Sequence, residues 1–340
     1  MKRPQGGVAW HCETVHRDGQ ALSFRWCEAR GARPGPVVAV IAGQHGMEPT
    51  GPAMVAAWLK DMDVSQLRGT VRAAPLANVE ALRCGFECEI PPGKLKRARA
   101  AGMGFGGCPM RLNRQSCGRN LNRLWPGKAE GTIHERLVDA LRRRVVGDAQ
   151  YVIDFHCWSD SGPAGVIGYS DAAIEFGRHF GLPHLHRYPL TDHPGLLGLW
   201  AMREGKRAIT AELTPQNRVF ADNAEAGRRG LENLLRHLRM LPGREMELPE
   251  QYVLEFKKRD CRPMKLPWDA LVLPVVTPGG WHRKGDLLGR AVKLDDPRTV
   301  RDLRAPCDGL LMAVPHWAMV AAGKSAMTFY RARLLPPIMA

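Results

Sequence analysis

The chain has 340 residues, 44% of them hydrophobic and 24% charged, an ordinary globular balance that leaves room for two domains or for one large domain with an appendage. Its longest apolar stretches, residues 37–42 and 310–322, are too short to cross a bilayer, and Met1-Lys2-Arg3 runs into Pro4-Gln5-Gly6-Gly7 without the apolar core of a secretory signal, so the expectation is a cytoplasmic protein without a membrane partner. Nine cysteines, an odd number, point to reduced thiols rather than a disulfide framework, and the net charge of +15 points to an anionic ligand.

Short continuous apolar runs predict strands buried on both faces, whereas apolar residues at three- and four-residue spacing predict amphipathic helices. Residues 37–42 predict a buried strand, followed by a helix over 51–62 with Thr50 as its cap, and 70–74 predict a second strand. Between 90 and 129 stand nine basic residues, Lys94, Lys96, Arg97, Arg99, Arg111, Arg114, Arg119, Arg123 and Lys128, with no acidic one among them. A segment of this kind attracts anions, binds phosphate backbones or is simply solvated. A helix over 133–146 leads into a strand at 151–156; a helix over 196–204, a strand over 207–213 and a helix over 221–240 with Leu231, Leu234, Leu235 and Leu238 on one side continue the alternation. Strands alternating with helices define an α/β layered unit. After Leu241-Pro242-Gly243, short apolar runs at 270–276, 286–289 and 309–314 read as all-β. The boundary falls between Pro242 and Pro267, giving an α/β unit over 1–245 and a β-rich unit over 265–340.

Three of these apolar runs deliver metal-competent residues at or just beyond their C-terminal ends: His45 and Glu48 after the first, His156 after the strand at 151–155, and Glu212 after 208–211. Open α/β sheets bind ligands beyond the carboxyl ends of their strands, so the three ends can meet at one site. His45 and Glu48 form a His-x-x-Glu pair in a glycine-containing loop, and His156 supplies the third ligand that a catalytic zinc requires. Zinc so held leaves a position for water and lowers its pKa to about 7. Glu212 is then placed to act as general base. In the run from Arg119 to Gly127, Asn122 and Arg123 suit a substrate carboxylate, because a guanidinium pairs with it in a bidentate fork and an amide adds a directed hydrogen bond.

Other signals carry less. Gly102, Gly104 and Gly107 match a dinucleotide fingerprint by letter but follow a basic stretch instead of a strand. There is no nucleophile elbow, and His134-Glu135 lacks the second histidine of a zincin. Cys84, Cys88, Cys108 and Cys117 have the spacing of no common zinc ribbon or finger, and His179, His184, His186 and His193 have no fixed ligand spacing.

Taken together the motifs resemble the succinylglutamate desuccinylase/aspartoacylase family of zinc carboxypeptidase-like hydrolases. Residues 43–51 are similar to its G-x-H-G-[DN]-E-x-x-G, residues 120–127 to its [DN]-L-N-R-x-[FW]-P-G, Asp154-Phe155-His156 to D-x-H, and Ala211-Glu212-Leu213 to x-E-[LV]-G. The resemblance implies a three-layer mixed-sheet zinc-carboxypeptidase-like domain followed by a smaller all-β, barrel-like domain. It implies one Zn2+ per chain on His45, Glu48 and His156, a general base at Glu212, substrate binding by Asn122 and Arg123, and carbonyl polarisation by an upstream arginine, for which Arg111 and Arg114 are the candidates. Met47 departs from the family's Asp or Asn, Thr214-Pro215 stands where glycine is usual, and the 86–118 insertion is long, rich in Gly, Cys and basic residues.

The expected activity is zinc-dependent removal of an acyl group from a small anionic N-acyl amino acid. A carboxypeptidase-like peptidase on the same site is the nearest alternative. A nucleic-acid-binding protein that uses residues 94–128 and keeps zinc as a structural ion is a more distant one, disfavoured because only Phe105 and Trp125 offer stacking surfaces there. The sequence leaves oligomeric state open, with a homo-oligomer among the outcomes.

Overall fold

The computed structural model describes residues 6–84, 120–158, 162–190, 195–255, 260–315 and 318–338. Arg111, Arg114, the lysine- and arginine-rich run at 94–99, Cys88, Cys108, Cys117 and His193 lie outside them.

The chain opens with β1 (Gly7–Arg17) and β2 (Gln20–Arg30), paired antiparallel with Arg17 opposite Gln20. Asp18 and Gly19 turn the corner with φ of 47° and 74°, the two left-handed residues that a tight hairpin needs to match the twist of its strands. Next come β3 (Arg33–Ala42), α1 (Thr50–Asp61), β4 (Arg68–Ala74) and α2 (Val79–Cys84). A 3-10 turn at Leu121–Arg123 precedes α3 (Ile133–Leu141), which runs on into one π-helical turn at Arg142–Val146. Then follow β5 (Tyr151–His156), β6 (Gly165–Gly168), α4 (Asp171–Arg178), β7 (His184–Arg187), α5 (Leu197–Arg203), β8 (Arg207–Glu212), α6 (Ala221–His237) and β9 (Tyr252–Leu254). Thr50 opens α1 as its first residue, and its hydroxyl donates to the Arg218 carbonyl oxygen (3.4 Å) instead of capping the helix.

These strands build a ten-stranded mixed sheet in the order β1-β2-β4-β3-β5-β8-β6-β7-β9-β18, where β18 is Arg333–Leu334. β4, β3, β5 and β8 run parallel, so their carboxyl ends share one edge, while β6 is antiparallel to β8. Alternate residues of β3 enter two separate cores. Val38, Val40 and Ala42 pack with Val55 and Trp58 of α1, Phe176 of α4 and Leu231, Leu234 and Leu235 of α6. Ala39 and Ile41 pack on the other face with Leu137 and Leu141 of α3 and Leu197 and Ala201 of α5. Helices on both faces explain why β3, β5 and β8 read as unbroken apolar runs, since neither face meets water.

Eight further strands follow β9: β10 (Cys261–Lys265), β11 (Ala270–Pro274), β12 (Trp281–His282), β13 (Leu287–Lys293), β14 (Val300–Arg304), β15 (Gly309–Ala313), β16 (Met319–Val320) and β17 (Ser325–Tyr330). They form two four-stranded antiparallel sheets, β10-β17-β15-β12 and β14-β13-β11-β16, over one core that includes Leu266, Leu288, Leu311, Met327 and Phe329. The large sheet then takes in β18, which pairs with β9.

Helix α1 lies close against β5. A Cβ on Gly51 would stand 2.6 Å from Cβ of Phe155, so only glycine lets the helix that follows the His45–Glu48 loop approach the strand that ends in His156. Gly51→Ala should therefore destabilise the protein by about 1–3 kcal/mol, the usual cost of overpacking a core, as read by the urea midpoint. An unchanged midpoint would show that helix and strand separate freely.

Candidate functional site

The parallel register of β3, β5 and β8 sets Ala42 beside Phe155, Phe155 beside Ala211, and His156 beside Glu212. The loop beyond β3 carries His45 and Glu48 back over the end of β5. There His45 Nδ1 stands 2.9 Å from Glu48 Oε1 and 3.1 Å from His156 Nδ1, and His156 Nδ1 stands 2.9 Å from Glu48 Oε2. All three side chains are buried.

The outward atoms of both imidazoles are already engaged. His156 Nε2–H donates to Asp154 Oδ2 (2.8 Å), and His45 Nε2–H donates to Asn120 Oδ1 (3.0 Å). Each ring thus directs the lone pair of Nδ1 inward, at Glu48. Two ring lone pairs and a carboxylate, about 3 Å apart and out of water, repel one another unless a positive charge lies between them. A proton on His156 provides it in part: burial alone would lower this ring, but the charges and hydrogen bonds of Asp154 and Glu48 hold its pKa well above the usual value. Burial would raise Glu48, yet both histidines hold its carboxyl well below the usual carboxylate range. Two histidines and one carboxylate, each fixed by an outer hydrogen bond, also form a donor set for a divalent ion of the zinc class, so the residues present fit the implied metal.

Glu212 closes the site from the neighbouring strand. Burial pushes its carboxyl up to about 8; the charges of Glu48 and Asp154 add to this, and those of His156 and His45 oppose it. Among the described residues its Oε2 is buried without a hydrogen-bond partner. A carboxyl in this condition readily takes up a proton.

Asn122 and Arg123 sit on the 3-10 turn beside the cluster. Asn122 Nδ2 lies 3.4 Å from His156 Nε2, and Asn122 Oδ1 accepts from the Leu197 backbone N–H (2.8 Å). Arg123 donates to the Asn122 carbonyl oxygen (2.6 Å) and is otherwise exposed. Gly195, with φ of 97°, holds this turn from outside, since a Cβ there would lie 2.0 Å from the Arg123 carbonyl oxygen. The chain from Leu213 to Asn217 folds back beside Glu48, and the Asn217 backbone N–H donates to the Met47 carbonyl oxygen (2.7 Å). Gln216 Nε2 donates to the Cys157 carbonyl oxygen (2.9 Å) and reaches Glu48 Oε1 (3.4 Å).

Sequence reasoning missed the residues that hold the ligands. Asp154 was visible only as part of a motif, although its i, i+2 spacing from His156 on a strand places both on one face. Asn120, like Asp154, stood out only as a motif position, and Gln44 and Gln216 gave no local signal, because their partners are distant in sequence. Tyr169 was missed too: it is buried against Tyr188, and burial raises its phenol, with the charges of Tyr188, Asp154 and Glu212 pushing the same way and Arg123 opposing. Of the other histidines, His184 bonds the Ala164 and Gly279 carbonyls and His186 meets Trp158 edge-on. His179 and His237 stack at 3.5 Å, with each Nδ1–H donated to one oxygen of Glu245.

Comparison with known proteins identifies a hydrolase of amide bonds. The chain belongs to the succinylglutamate desuccinylase/aspartoacylase family, whose catalytic domain matches residues 34–238. Among curated proteins it is similar to the N-alpha-acetyl-L-2,4-diaminobutyric acid deacetylase of Halomonas elongata, 23% identical over 293 residues that cover 82% of this chain and 77% of that one. Its fold is that of a succinylglutamate desuccinylase from Silicibacter sp. TM1040, at TM-score 0.72 and 20% identity over 98% of this chain and 97% of that chain. It is shared by the product-bound ectoine utilization protein EutE (DoeB) from Ruegeria pomeroyi, at TM-score 0.70 and 22% identity over 97% and 96% of the two chains. Among the described residues no helix is long and apolar enough to cross a membrane.

Two measurements check the cluster. His156→Ala should lower the zinc content of purified protein severalfold by elemental analysis, whereas unchanged content would mean that other residues hold the metal. In chelator-stripped protein, Glu212 binds its proton more tightly folded than unfolded, so stability is fully present below its ordinary value of 4.5 and is lost as pH rises toward about 8. Glu212→Gln should remove that component of the slope in denaturant titrations; an identical slope would show that burial does not shift this carboxyl.

Proposed function

We propose that this protein removes the acyl group of a small N-acyl amino acid in a zinc-dependent reaction, on a catalytic domain of the zinc carboxypeptidase type. The observation that carries the reading is the convergence of His45 Nδ1, His156 Nδ1 and the Glu48 carboxylate beside a buried Glu212 oxygen that has no hydrogen-bond partner among the described residues. His45, Glu48 and His156 would hold one ion per chain. When bound, zinc supplies a Lewis acid that makes water a nucleophile near neutrality and polarises a carbonyl.

The remaining work falls to side chains. Glu212 takes the proton of the attacking water and returns it to the departing amine nitrogen, and its elevated proton affinity suits a group that must both accept and release near neutral pH. Arg123 presents its exposed fork to the substrate carboxylate, with Asn122 beside it at the edge of the metal cluster. Arg111 or Arg114 would polarise the scissile carbonyl. Gln216, just beyond the Thr214-Pro215 that stands where the family generally has glycine, braces Glu48.

The Halomonas relative is named as a deacetylase of an N-alpha-acetyl amino acid, so acetyl compounds head the panel that tests this reading. Amine release from N-acetyl, N-succinyl and N-formyl amino acids and from short peptides should be metal-dependent and confined to one class of acyl amino acid. Cleavage of peptides alone would replace the reading with a peptidase. Glu212→Gln should keep its zinc and lose about 10²–10⁴-fold in kcat, the usual contribution of a general base; full turnover in that variant would remove Glu212 from the mechanism.

A further inference from the structure

Behind His156 lies a hydrogen-bonded chain that the reaction itself does not use. Gln44, 1% exposed, sits between Asp154 and Trp125. Its Nε2 donates to both oxygens of Asp154, at 2.8 and 3.0 Å, and its Oε1 accepts the Trp125 indole N–H at 2.8 Å. The amide orientation is unambiguous on chemical grounds, because a carboxylate only accepts and an indole only donates. Asp154, with no exposure at all, receives in addition the Nε2–H of His156 at 2.8 Å.

Gln44 is itself held rigidly. Its carbonyl oxygen accepts from Asn78 Nδ2 (3.2 Å), and Asn78 in turn anchors the start of α2 by accepting from the Ala81 backbone N–H (3.2 Å). Trp125 is buried in the core on that face of the sheet, stacked on Trp200 at 5.6 Å. A rigid amide thus connects three segments far apart in sequence: the loop bearing His45 and Glu48, the strand bearing His156, and the turn bearing Asn122 and Arg123.

On the reading that His45, Glu48 and His156 hold a metal ion, we propose that Gln44 is a positioning residue for that site. It fixes the plane of the Asp154 carboxylate, which fixes the ring of His156 with Nδ1 facing the ion, and through Trp125 it ties the substrate-binding turn to the same carboxylate. Without the amide, a fully buried carboxylate loses both of its hydrogen bonds to Gln44 and, among the described residues, keeps that of His156, so it rotates or draws in water. The imidazole then loses the fixed orientation that metal affinity depends on. Outer hydrogen-bond partners of ligating histidines typically account for about 10–100-fold in affinity.

The test is zinc affinity by competition with a chromogenic chelator on the full-length chain, alongside the visible spectrum of the cobalt-substituted protein. Gln44→Met keeps the volume and removes the donor; its zinc dissociation constant should rise about 10–100-fold, with a shifted cobalt spectrum and a cooperative unfolding transition retained. Trp125→Phe, which removes only the N–H that orients the amide, should weaken zinc by a smaller factor, and it stands as the test if Gln44→Met does not fold. His156→Ala is the control. If that control loses zinc while both other variants bind like the parent, Gln44 has no positioning role and the ligand set stands. If His156→Ala binds like the parent, the ligand set falls and this inference falls with it.

Discussion

Three electron-rich groups held about 3 Å apart in the dry interior are the constraint around which this molecule is built. Without positive charge among them, His45, His156 and Glu48 would repel one another; a proton shared between imidazole and carboxylate, or a cation, is what lets them stand this close. The surrounding fold brings them there. Parallel strands bring the ends of β3, β5 and β8 to one edge, helices on both faces exclude water, and Asp154 and Asn120 occupy the outer ring nitrogens, which turns the inner ones toward Glu48. The cluster is thus assembled by the fold with its acceptor atoms already facing one another.

The same environment divides two carboxylates between opposite tasks. Glu48, between two imidazoles, stays ionised far into acid, while Glu212, one strand away and short of partners, holds its proton up to about 8. Burial acts on both in the same direction; the neighbouring positive charges decide the difference. One residue is thereby suited to binding a metal and the other to moving protons.

Much of this was legible in the sequence because it lay in short-range pattern. The apolar runs ending at Ala42, Phe155 and Ala211 announced strands buried on both faces, and the polar residues at their ends stood out against them. The β1–β2 hairpin escaped because its strands are largely exposed and show no apolar run, although Asp18-Gly19 marks the turn. Thr50 has the chemistry of a cap, but Pro49 takes the position before the helix and leaves the hydroxyl to bond Arg218. The holding residues were hidden for a different reason. Gln44 meets Asp154 across 110 positions and His45 meets Asn120 across 75, and an amide that far from its partner looks like any other polar residue until the chain is folded.

The pairing of β18 with β9 has a topological consequence. Residues between Leu254 and Arg333 leave the large sheet and come back to it, so the two small sheets are an excursion anchored at both ends, not a tail hung from one. Closing that excursion carries an entropic cost that grows only slowly with its length, which makes the span between the anchors tolerant of inserted or lost residues. A chain nicked at one exposed turn inside it would still have both fragments engaged with the main body, and would come apart only when the sheet itself unfolds.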